Sequence, residues 1–169
     1  MRNNFSTFDI KKLLGIPRER LQAWMIEGYV APSIPAPSQG KKAIFTRVDV
    51  YAVALFNDLL KIGFRRETTA RFVSEYIDRI AKGAYDYIIF RTDTSFSEDY
   101  LPEAMPIPCS EKELFLSLRT GLLKEHKSAK ITPEDMKLLH KYSRDWNSLV
   151  VFNLKHFLEK TEKLLLAAE

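Results

Sequence analysis

The sequence predicts a mainly α chain with a small amount of β structure, divided into two domains at about residue 83. Three observations predict it. Apolar residues recur at three- and four-residue spacing between clear glycine and proline breaks in the first half. Aromatic and β-branched runs replace that pattern in the second half. The charge balance also changes sign between the halves. Residues 1–83 hold 14 Lys and Arg against 8 Asp and Glu, a net of +6, whereas residues 84–169 hold 12 against 14, a net of −2.

The elements follow in order. Ser6 or Thr7 caps a first helix, with Asp9 three residues after Ser6, and Gly15 stops it after Leu14. Its apolar face is Phe8, Ile10, Leu13 and Leu14. Pro17 suits the first turn of a second helix, where its missing N–H costs nothing. Leu21, Trp24 and Met25 form that helix's buried stripe, and Gly28 ends it. Two short amphipathic helices with so tight a turn read as a helix-turn-helix.

Prolines 32, 35 and 37 with Gly40 exclude a helix over 29–45. Two β-rich pieces, near Tyr29-Val30 and at 43–45, are expected to flank a tip ending in Lys41-Lys42, giving a hairpin wing. Thr46 caps a third helix, with Asp49 placed for a capping box. Gly63 ends it, and a fourth helix runs from about Glu67 to Ala81, with Phe72, Val73, Tyr76, Ile77 and Ile80 on one face. Trp24, Phe8, Phe45, Phe56 and Phe64 are assigned to the core.

The second half is expected to form a small α/β accessory domain over 84–169. Strands at 85–91 and 148–154 would pair, and helices would pack on them. Residues 92–108, with three prolines, read as loop. Ser110 and Glu113 open a helix to about Thr120, Thr132-Pro133-Glu134-Asp135 opens another, and a last helix covers 155–168. One long helix over 143–168 is the competing reading of that end. Leu158, Leu164, Leu165 and Leu166 crowd the last helix, and a dimer interface there is a hypothesis.

Composition excludes several function classes. The single Cys109 precludes an internal disulfide and any Cys-pair metal or iron–sulfur site. A reducing, cytoplasmic setting fits. The first residues carry no apolar signal stretch, and no run of about 18 apolar residues is present, so no membrane partner is expected. His126, His140 and His156 lack metal-ligand spacing, so no metal or other cofactor is expected. There is no glycine-rich phosphate loop and no nucleophile signature, so the chain does not read as an enzyme.

The residues that point to a polyanion lie in the first half. Arg18, Arg20 and Gln22 open the second helix. There, Arg can pair with guanine and Gln with adenine in the major groove of duplex DNA. Lys41 and Lys42 at the hairpin tip suit phosphates. Arg65 and Arg66 stand near the start of the fourth helix and Arg47 in the first turn of the third. Cations are disfavoured at those positions unless an anion joins them. The competing reading for all eight is an ordinary solvated surface.

The segment Gly15-Ile16-Pro17-Arg18-Glu19-Arg20-Leu21-Gln22-Ala23-Trp24, followed by Gly28-Tyr29-Val30-Ala31-Pro32, resembles the family of the mercury-resistance regulator MerR. Phe45-Thr46-Arg47-Val48-Asp49-Val50 and Ile62-Gly63-Phe64 look like that family's next landmarks in the same order. The resemblance covers about the first 80 residues. It implies a winged helix-turn-helix transcription regulator that binds promoter DNA as a homodimer and acts on RNA polymerase. The second helix would enter the major groove and the wing would track the backbone. Two departures stand out. Gln22-Ala23 replaces the family's Arg-Tyr pair, and Ala43 replaces the wing arginine. An excisionase-like architectural role, or a winged helix that docks protein, is the alternative. The accessory domain would serve dimerisation or sense a small-molecule effector that no residue names.

Overall fold

The computed structural model describes residues 3–36, 42–92, 106–115 and 148–167. Within them the chain is mainly helical with a small three-stranded antiparallel sheet. It divides into two compact units, Met1–Gly83 with Lys155–Glu169, and Ala84–Leu154.

In the first unit, α1 spans Thr7–Leu14 and begins with a complete capping box. The Ser6 hydroxyl accepts from Asp9 N–H, and the Asp9 carboxylate accepts from Ser6 N–H. Gly15 closes the helix in the left-handed region at φ 66°, and its N–H donates to Lys11 O. Ile16, which follows, is buried. Pro17 is the N-cap of α2 (Arg18–Ile26), one position earlier than expected. The turn between the helices is thus three residues long. Leu21 and Trp24 are buried, and Trp24 meets Phe56 edge-to-face at 5.0 Å.

The segment after α2 corrects one expectation. Tyr29-Val30 is not the segment that pairs with the 43–45 piece. Ile34 is, exchanging both backbone hydrogen bonds with Ile44 at 3.1 and 2.9 Å. Phe45 pairs back to Phe5 in the same way, so two isolated bridges hold this region. Tyr29 instead stacks on Phe56 at 5.9 Å, and its N–H and that of Val30 donate to Trp24 O at the end of α2 rather than to a neighbouring strand.

Helix α3 (Arg47–Ile62) opens with the expected Thr46–Asp49 capping box and supplies the centre of the core through Val50, Leu55, Phe56 and Leu59. Helix α4 (Arg66–Ala81) packs on it with Phe72, Val73 and Ile80. Of the five aromatics assigned to the core, Trp24, Phe45, Phe56 and Phe64 are buried, but Phe8 is 71% exposed. An eight-residue helix offers only a narrow buried stripe, which Ile10 occupies.

In the second unit β1 (Tyr87–Thr92) is central. It pairs with β2 (Pro106–Cys109) on one side and β3 (Ser148–Asn153) on the other, both antiparallel. The β1–β3 pairing agrees with the expected one. Strand β2 lies inside the stretch expected to be loop. Prolines are tolerated in a strand where the missing N–H points away from the partner. Pro106 and Pro108, two residues apart, leave that gap on one side only. Ile88 and Ile89 are fully buried, and Cys109 packs with Ile89 and Leu114. A helical stretch at 111–115 begins with the expected Ser110–Glu113 capping box. The helix expected from Thr132, and the remainder of the one expected to reach Thr120, lie outside the described residues.

Strand β3 is followed at once by α5 (Leu154–Leu166), which excludes one long helix over 143–168. From Lys155 onward α5 belongs to the first unit, so the domain expected over 84–169 loses its last helix. The reason is specific bonding. Glu162 of α5 accepts from the Arg47 guanidinium and the Tyr51 hydroxyl of α3. Phe157, Thr161 and Leu165 are buried. Leu165 is thereby used within the unit, while Leu164 and Leu166 stay exposed.

Candidate nucleic-acid interface

The candidate interface is built on α2. Its buried residues are Leu21 and Trp24, and at about 100° per residue these define one side. Arg18, Arg20 and Gln22 are all exposed. The anchoring of Leu21 and Trp24 in the core gives those polar side chains a fixed platform. Arg18 and Gln22, four apart, share a face, and Arg20 stands on another. Glu19 offsets one of the two arginines, so α2 itself carries a net charge of +1, which Glu27 just beyond its end cancels.

The end of α2 is tied to the start of α4. Arg66 pairs with Glu27 at 3.6 Å, and the Tyr29 hydroxyl donates to Glu67 Oε1 at 2.8 Å. Both contacts are exposed, so each contributes modestly. The bond to Glu67 pushes the Tyr29 phenol above its ordinary value. The Glu67 carboxyl is held below its ordinary value, first by its own backbone amide and then by the Tyr29 hydroxyl. Arg65 precedes α4 as its N-cap and is exposed. The anion that the start of α4 asks for is thus supplied in part from within, by Glu67 in the first turn.

The other sites divide. Lys42 is exposed. Lys41 lies outside the described residues. Arg47 is not a free cation. Its Nη2 is bonded to Glu162, its Nη1 is buried without a hydrogen-bond partner, and the side chain is only 20% exposed. Satisfying Arg47 needs a residue 115 positions later, which no local pattern announces.

Sequence reasoning passed over Lys11 and Lys12, exposed in the last turn of α1 and a three-residue turn from Arg18. The Lys-Lys pair two residues before the end of α1 was the available signal. It also passed over Ile26, the last residue of α2, which is 86% exposed. Among the described residues no helix is long and apolar enough to cross a membrane. Comparison with protein-family models and with curated proteins finds no match to this chain.

Proposed function

We propose that this chain is a sequence-specific, double-stranded-DNA-binding transcription regulator of MerR-like winged helix-turn-helix type, acting as a homodimer on promoter DNA. The observation that carries the reading is α2, a short helix pinned by Leu21 and Trp24 with Arg18, Arg20 and Gln22 projecting to solvent. The three-residue turn to α1 and the bridged segment around Ile34 and Ile44 support it. In this reading Gln22 contacts bases, Arg20 contacts bases or phosphates from the neighbouring face, and Lys42, Arg65 and Lys11 neutralise phosphates. Arg47 acts inside the protein, through Glu162. RNA polymerase and a small-molecule effector are the further partners that the resemblance brings to this reading.

Selection of bound sequences from random duplex DNA tests it. The expected result is an inverted-repeat consensus whose affinity falls about 10³–10⁵-fold between 50 and 200 mM salt if six to ten phosphates are neutralised. Replacing Arg20 and Lys42 by Ala should flatten that salt dependence. Binding indifferent to salt, or no enriched sequence, would refute the reading. It would favour docking of the same helix on a protein, for which the low net charge of α2 together with its C-cap Glu27 is the motive.

A further inference from the structure

Around α2, the side opposite Leu21 and Trp24 carries Glu19, Gln22, Ala23 and Ile26 at about 100° per residue. Ile26 is the most exposed of the large apolar side chains among the described residues, at 86%. Exposed apolar residues scattered singly need no explanation. Ile26 differs in its setting. It stands four residues after Gln22 and three after Ala23, so the three side chains adjoin on the outward face.

The only apolar group that B-form DNA offers in the major groove is the 5-methyl of thymine. A Gln that reads adenine through N6 and N7, beside an aliphatic side chain, matches an A·T-containing step. Residues four apart on a helix lie about 6 Å apart, or roughly two base pairs along the duplex. A protein partner would be expected to find a broader apolar face. Here the neighbours of Ile26 are Gln22, the small Ala23 and the ion-paired Glu27, which leave only a spot of apolar surface, on the scale of a methyl group or two.

From this geometry, and resting on the DNA-binding reading above, we infer that Ile26 is a specificity residue that contacts thymine methyl groups one or two base pairs from the adenine held by Gln22. The protein therefore reads thymine against both cytosine and uracil at that place. Gln22 supplies the polar half of the recognition and Ile26, with Ala23, the apolar half.

The test uses the full chain and the duplex enriched from random DNA, synthesised once with thymine and once with deoxyuridine at each position in turn. Uracil keeps every hydrogen bond of thymine and lacks only the methyl. One or two positions per half-site are expected to lose about threefold to tenfold in affinity on losing the methyl. In Ile26→Ala those positions should lose little further, while the salt dependence of binding is unchanged. Ile26 is exposed, so this variant should fold as the parent does, which an unchanged melting temperature verifies. Equal affinity for the thymine and uracil duplexes would overturn the inference and leave DNA binding standing. So would an equal thymine-to-uracil loss in Ile26→Ala. Failure to enrich any duplex would overturn the DNA-binding reading and this inference together.

Discussion

Asp49 joins two parts of the first unit, and its replacement gives a quantitative test. Its carboxylate accepts hydrogen bonds from the Thr46 N–H at 2.7 Å, the Ser33 N–H at 2.8 Å and the Ser33 hydroxyl at 2.9 Å. The first is half of the capping box of α3 and contributes about 1 kcal/mol. The two from Ser33 are exposed, so water competes, and each contributes about 0.5 kcal/mol. Asp49→Ala should therefore destabilise the first unit by about 2 kcal/mol. Asp49→Asn keeps one acceptor but loses the favourable charge at the helix start, and should cost about 1 kcal/mol. The assay is urea unfolding followed by Trp24 fluorescence, with Trp146 replaced by Phe so that one tryptophan reports. At a slope near 2 kcal/mol per molar urea, the midpoint should fall by about 1 M for the alanine variant and about 0.5 M for asparagine. Ser33 adjoins the Ile34–Ile44 bridge. Amide exchange at Ile34 and Ile44 should therefore accelerate in the alanine variant, while exchange in the middle of α3 should change far less. A midpoint shift under about 0.25 M, or uniform acceleration of exchange, would refute the reasoning.

Two further predictions concern long-range pairs. Glu162→Ala leaves the Arg47 guanidinium without its carboxylate. The pair is neither fully buried nor fully exposed, so a loss of about 1–3 kcal/mol is expected, read as a lower melting temperature. No change would mean that α5 is held by its apolar stripe alone. Tyr29→Phe removes the hydroxyl that helps hold the Glu67 carboxyl down, and should raise the Glu67 pKa in a carboxylate NMR titration. Because the folded-state value of Glu67 is depressed, its contribution to stability is present above the ordinary carboxylate range and fades as pH falls through the depressed value. The Tyr29 contribution has the opposite sign. It is present below the ordinary phenol value and fades as pH rises through the raised one. An unmoved Glu67 titration in Tyr29→Phe would remove the hydrogen bond as a cause.

Local chemistry in the sequence marks the helix starts accurately. Ser6–Asp9, Thr46–Asp49 and Ser110–Glu113 were all legible as capping boxes, because each box is made of residues three apart. Paired strands were legible at 85–91 and 148–154 from their aromatic and β-branched runs, against 87–92 and 148–153 in the fold. The reading fails where a distant partner decides. Pro106 and Pro108 argue for a loop until a neighbouring strand uses only the other edge of theirs. Ile34 shows no more β signal than Tyr29-Val30, and its role is decided by Ile44.

The candidate interface divides along the same line. That Arg18, Arg20 and Gln22 share a short helix with a buried Leu21 and Trp24 follows from helical period alone. Which cations are free does not. Arg47 and Arg66 look alike in sequence, each in the first turn of a helix. Folding brings Glu162 to the first and Glu27 to the second, one pair partly buried and one exposed. Spacing and capping along the chain thus settle the starts of the boxed helices and most of each inward side, since those depend on neighbours a few residues away, whereas Phe8 and the uncapped starts of α2 and α4 do not follow from them. The partner of each charge, the apolar side chain left outside on α2, and the return of α5 to the first unit depend on residues far apart in sequence, and only packing in three dimensions brings those together.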